Sequence, residues 1–223
     1  MINQLLSGNF DLMRFIIFLL SSCAVVFITL PIHEFAHGFV ATKLGDPTPR
    51  YQNRLSLNPL RHIDYLGAAM ILLFGFGWAK PVQVNMNYFK NPKRDMAITA
   101  LAGPTSNIII SFLAGFLLFI LRLLPIQIAF FGYVYLFFEY LIWINLYLAF
   151  FNLIPIPPLD GSRLLAVFLP DRIYYRIMQY ERFFFLLILL LCWKGSFGAL
   201  LNMAVSGVYN VIHTVFGLAV ILR

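Results

Sequence analysis

Apolar residues run through this chain in long blocks, not at the spacing of an amphipathic helix or a half-buried strand. Three blocks, at about 12–36, 96–121 and 127–152, reach the roughly 20 residues needed to cross ~30 Å of hydrocarbon. Two less clean ones, near 178–194 and 198–221, are interrupted by "WKGS" and predict a C-terminal hairpin of two spans. The stretch "DYLGAAMILLFGFGWA" at 64–79 is apolar but short, and Gly67, Gly75 and Gly77 break it, so a re-entrant or cleft-lining segment fits it better than a full crossing. Beyond it, Val82, Val84 and Met86 alternate with Gln83, Asn85 and Asn87, which predicts a strand over 81–87.

Charge tests this span assignment. If 64–79 does not cross, Lys43, the seven basic residues from Arg50 to Arg94, the four from Arg163 to Arg182, and Arg223 share one side, while Arg14, Arg122 and Lys194 share the other. Thirteen against three is the bias that places the first set in the cytoplasm and the N-terminus outside. Composition agrees: 61% hydrophobic residues, 11% charged and a mean hydropathy of +0.84 exclude an ordinary soluble domain. The net charge of +7 sits in short loops and not on one polar face, so it argues for membrane topology over nucleic acid. Cys23 and Cys192 lie in apolar runs without ligand spacing and read as packing residues. With Arg14 inside the first apolar stretch and no small-residue cleavage site, that span is expected to stay in the protein.

Against this background one cluster stands out. His33, Glu34 and His37 form H-E-x-x-H inside an apolar span, where each ionisable group costs about 2.5 kcal/mol or more. On a helix, residues four apart share a face, so both imidazoles can reach one Zn²⁺ with Glu34 beside them to polarise a water. Catalytic zinc normally takes a third protein ligand. Among the acidic residues, Asp11, Asp46, Asp64, Asp95, Asp171 and Glu181 fall in predicted loops or at span ends and read as solvated or capping charges. Glu139, midway along the third block, reads as a structural carboxylate bonded to a neighbouring helix, with a functional role as the alternative. Asp160 closes "NLIPIPPLDG", where Pro155, Pro157 and Pro158 predict an extended segment; the residues alone leave open whether it is a cleft carboxylate or an ordinary turn Asp-Gly. Asn107, Asn145 and Asn152 add polar notches that fit interhelical bonding and an active-site role equally well. His62 and His213 lack a ligand partner at useful spacing, and His62 is expected to cap the loop at the membrane surface.

Taken in order, "HEFAHGFVATKLGDPTP", "LSLNPLRHIDYLG", "GWAKPVQVN", "ALAGPTSN" and "NLIPIPPLDG" resemble the site-2 protease family of intramembrane zinc metallopeptidases, in its short bacterial-type form without a PDZ domain. The resemblance covers roughly residues 29–165. It implies that His33, His37 and Asp160 hold one zinc ion per chain, that Glu34 is the general base, and that Asn152 and Asn107 match family asparagines near substrate and on the middle core helix. Asn53 and Tyr65 depart from the pattern away from the chemistry.

The expected fold is therefore an all-α polytopic membrane protein. A core over 1–170 would have spans near 12–44, 96–121 and 127–165, with a re-entrant or β segment at 64–88, and a C-terminal hairpin would occupy 171–223. The expected activity is hydrolysis of peptide bonds in or near transmembrane segments of membrane proteins, within a bacterial cell membrane and toward its cytoplasmic side. The lipid bilayer is then a partner and nucleic acid is not; the oligomeric state is left open. The strand at 81–87 would clamp the unwound substrate by edge pairing. The rival readings are a non-catalytic, pseudoprotease-like binder of transmembrane helices, which the complete ligand set argues against, an ion transporter, for which paired interrupted repeats are missing, and another membrane zinc hydrolase.

Overall fold

The computed structural model describes residues 11–74, 77–124, 131–193 and 198–218. Among the described residues, three helices are long and apolar enough to cross a membrane: α1 (Leu12–Leu44), α3 (Pro92–Leu123) and α4 (Phe131–Asn152). They pack on one another as a bundle. α1 contains one wide π turn at Val25–Thr29 and ends at Gly45, whose φ of 115° lets Asp46 N–H close back on Ala41 O. Small hydroxyls lie at the helix contacts: Ser21 Oγ donates to Phe137 O of α4 at 3.0 Å, and Ser111 Oγ of α3 to Ile142 O of α4 at 3.4 Å. The predicted start of the third span at 127, the interruption at 194–197, the end of the last span at 221 and Arg223 lie outside the described residues.

Between α1 and α3 the chain enters the bundle and returns. Helix α2 (Tyr65–Phe74) has 10 residues, about 15 Å, which is half a hydrocarbon crossing. Its Ile71 and the returning Ala79 both pack on Val25, Val26 and Leu30 of α1 and on Ile144 and Leu148 of α4. Gly67 and Gly77 make the doubling-back possible, because a Cβ on Gly67 would strike Trp78 O and one on Gly77 would strike Gly67 O. The short helix and the return of the chain at Ala79 agree with the segment's length and glycines.

The strand expected over 81–87 does not form. Residues 77–85 run without a ladder, and a 3₁₀ turn follows at Met86–Tyr88. Alternation put the side chains on two faces, but a ladder needs a neighbouring strand and none exists among the described residues. Side-chain carboxylates and one backbone carbonyl hold this segment instead: Lys80 N–H donates to His62 O (2.8 Å), Val82 N–H to Glu34 Oε2 (2.8 Å) and Asn85 N–H to Asp46 Oδ2 (2.7 Å). Asp46 also accepts from Thr48 N–H and Thr48 Oγ1, so it caps a turn, yet it is fully buried where a solvated charge was expected. Asp95 is likewise buried, accepting from Asn91 N–H at 3.0 Å. His62 is not a surface cap: it is fully buried, with Nε2 2.6 Å from Ser56 O.

The third span also stops earlier than the expected 165. α4 ends at Asn152, and the proline segment that follows is a series of tight turns, closed by Ile154 N–H to Phe151 O and Leu159 N–H to Ile156 O, where an extended chain was predicted. Three prolines rule out a helix but fit turns as readily as extension. Four helices complete the chain: α5 (Gly161–Phe168), α6 (Asp171–Gln179), α7 (Glu181–Trp193) and α8 (Gly198–Val215). α8 lies on α4 and α3, where Val205 and Ile212 join Ala114, Ile142 and Leu146 in a buried cluster. Its His213 Nε2 is 3.0 Å from Glu139 Oε1, and Tyr209 OH donates to Glu139 Oε2 at 2.5 Å. Glu139 is therefore bonded to a neighbouring helix, the structural role its position suggested.

Candidate metal centre

His33 and His37 occupy successive turns of α1 and are 4% and 7% exposed. Each ring is oriented from behind by α3. His37 Nδ1 lies 2.8 Å from Thr99 O, and His33 Nδ1 lies 3.3 Å from Asn107 Oδ1. Both partners are acceptors, so each Nδ1 is the donor, and Nε2 is the ring nitrogen each histidine can offer to a metal.

Asp160 arrives from the far end of the bundle sequence. It stands at the N-cap position of α5, where an aspartate normally bonds the first free amides, yet its side chain makes no capping bond. Its Oδ2 is instead 3.3 Å from His33 Nε2 and 3.2 Å from His37 Nε2, which are themselves 3.1 Å apart. The turns of the proline segment are what bring it there.

Three atoms that can each ligate a metal converge here in a buried place, within 3.3 Å of one another. Tetrahedral zinc with bonds of about 2.1 Å to nitrogen and oxygen separates its ligands by about 3.4 Å, close to the observed triangle. The donor set thus fits a zinc ion with a fourth position left open, and the acceptors behind each imidazole are the outer partners such sites use. Among the described residues, His33, His37 and Asp160 are the one group of three or more His, Cys, Asp or Glu side chains able to hold a metal.

The centre opens on a cleft of about 600 Å³. Glu34 and Asn152 line it, together with Trp78, Val82, Val84, Arg163, Tyr174 and Phe185. Glu34 is buried beside the histidines and accepts from Val82 N–H. Of the sequence candidates, His33, Glu34, His37, Asp160 and Asn152 come together here. Asn107 does not face the cleft; it touches the back of His33. Asn145 bonds Leu141 O within its own helix. Sequence reasoning missed Thr99, which acts through a carbonyl that every residue has, and missed the approach of α6, whose Tyr174 and Tyr175 reach the cleft.

A bundle of membrane-length helices with two histidines and one aspartate gathered at the wall of a cleft defines a class: helical membrane proteins with a group of side chains able to hold a metal. The family model of peptidase family M50 matches residues 120–191, which include α4 and Asp160. Proteins printed as "Putative zinc metalloprotease" are similar to the chain: YwhC of Bacillus subtilis, 40% identical over 80% of this chain and 84% of its own, Rip2 of Mycobacterium tuberculosis, 32% over 60% and 51%, and MJ0611 of Methanocaldococcus jannaschii, 32% over 70% and 73%. The chain belongs to peptidase family M50, the site-2 protease family. No solved structure matches it significantly.

Proposed function

We propose that this protein is an intramembrane zinc metalloprotease that hydrolyses peptide bonds in or near transmembrane segments of other membrane proteins. The observation that carries the reading is the convergence of His33 Nε2, His37 Nε2 and Asp160 Oδ2 beside Glu34 on a cleft between membrane-length helices. His37 stands seven residues, about 10 Å, from the end of α1, so the centre lies within the span and toward the side that carries the basic loops. The charge bias makes that side the cytoplasm and the N-terminus external.

His33, His37 and Asp160 would hold the zinc, which when bound acidifies a water and polarises a carbonyl. Glu34 takes a proton from the attacking water and returns it to the leaving amine nitrogen, so that one peptide bond and one water become a carboxylate and an amine. A carboxylate has two oxygens, and the bond from Val82 N–H occupies one of them. Asn152, at the end of α4 on the cleft wall, would bind the substrate backbone. A substrate helix must unwind before its carbonyls are accessible, and the unladdered segment 81–85 is suited to receive it. Val82 and Val84 of this segment both line the cleft.

Purified protein incubated with single-span substrates tests the reading, with wild type compared against Glu34→Gln and zinc measured in both. The expected result is equal zinc and cleavage by the wild type alone; equal cleavage would reject the mechanism. The presence of all four centre residues favours this enzyme over a non-catalytic binder of transmembrane helices.

A further inference from the structure

The metal ligands all lie on α1 and at the start of α5, yet α3 touches the centre at three points. Thr99, Gly103 and Asn107 are four residues apart and so form one stripe along α3. Thr99 O and Asn107 Oδ1 hold the two Nδ1 atoms at the ends of the stripe, and Gly103 lies between them.

Gly103 has no room for a side chain. A Cβ built there would sit 2.5 Å from His33 Nε2 and nearer still to His37 Nε2. Its helical backbone needs no glycine, so the requirement comes from the imidazoles alone. Asn107 carries a second sign of constraint. It is fully buried, and its Nδ2 has no hydrogen-bond partner among the described residues, so the group that repays its burial is the Oδ1 on His33.

We propose that the Thr99–Gly103–Asn107 stripe is the positioning template of the metal centre: Gly103 provides the clearance in which the two imidazoles converge, and Asn107 acts through His33 and not on the substrate. This rests on the zinc reading above and adds residues that bind neither metal nor substrate. The atoms that a methyl at Gly103 would strike are the far ends of side chains, which can swing aside without moving α1 or α3. Swinging them breaks the approach of both Nε2 atoms to Asp160 Oδ2. Gly103→Ala should therefore spare the bundle and cost the metal.

The test measures zinc affinity by competition with a chromophoric chelator, and ligand geometry by the visible spectrum of the cobalt-loaded protein. Melting in excess chelator reports the fold. Gly103→Ala is expected to bind zinc at least about 100-fold more weakly, the upper range for losing an outer-shell partner, with its metal-free melting temperature unchanged. Asn107→Leu should weaken zinc roughly 10- to 100-fold and shift the cobalt bands, and Asn107→Asp, which keeps an acceptor on His33 Nδ1, should restore both. Wild-type affinity and spectrum in Gly103→Ala would overturn the template. If that variant does not fold, equal affinities in Asn107→Leu and Asn107→Asp would overturn it. A wild-type protein that binds no zinc would reject the reading of the centre itself, an outcome distinct from intact binding in the variants.

Discussion

Asp160→Asn isolates the third ligand, because it keeps the side chain's shape and removes the one negative charge in the donor set. Nothing in the start of α5 depends on that charge, since Asp160 makes no capping bond. Its Oδ2 lies within 3.3 Å of both Nε2 atoms, so its loss falls on metal binding. At free zinc a thousandfold above Kd, binding stabilises the wild type by about 4.1 kcal/mol. For a chain of this size that corresponds to a rise in Tm of about 8–16 °C. If the substitution weakens zinc by about 100-fold, a modest allowance beside the roughly 10- to 100-fold known for outer-shell partners, the stabilisation falls to about 1.4 kcal/mol and the rise to about 3–6 °C. The assay is the Tm of purified protein in detergent, with zinc and with excess chelator. A full wild-type rise in Asp160→Asn would refute the assignment of Asp160 as a ligand.

Three further outcomes follow from other contacts. Val84→Pro removes the backbone N–H of a residue that lines the cleft and should abolish substrate cleavage with zinc content intact; unchanged cleavage would exclude a role for this segment in holding substrate. His213→Ala takes one of two partners from buried Glu139 and should cost about 1–3 kcal/mol of stability, while Glu139→Leu combined with His213→Leu should cost less, as measured by denaturant unfolding. Asp46→Ala strips partners from Asn85 N–H and Thr48 N–H at about 1–3 kcal/mol per orphaned donor, and should expose residues 80–88 to limited proteolysis before the bundle unfolds.

What could be read before the structure divides along physical lines. Block length and glycine placement are local, so the three long helices and the close approach of Gly67 and Gly77 are legible in the sequence. The histidine pair was visible because helical periodicity alone puts His33 and His37 together. Asp160 was different: its residues left a turn aspartate and a ligand equally open, and only the family resemblance favoured the ligand. The strand at 81–87 was misread because alternation describes side chains, whereas a ladder needs a partner elsewhere. Buried Asp46 and His62 were misread for a related reason: loop position suggests solvent, but these groups are buried by segments distant in the chain. Thr99 has no side-chain signal at all, since its contribution is a main-chain oxygen.

The π turn at Val25–Thr29 sets the phase of α1. Each residue of an α-helix advances the chain by 100°, so a turn that holds one extra residue offsets everything after it by that angle. Before it, Ser21 faces α4; after it, His33 and His37 face α3. Shortening Val25–Thr29 by one residue would leave composition and span length almost unchanged, yet it would rotate both histidines about 100° away from Thr99 and Asn107. One irregular turn thus lets a single rod serve two neighbours whose directions a regular helix could not satisfy together.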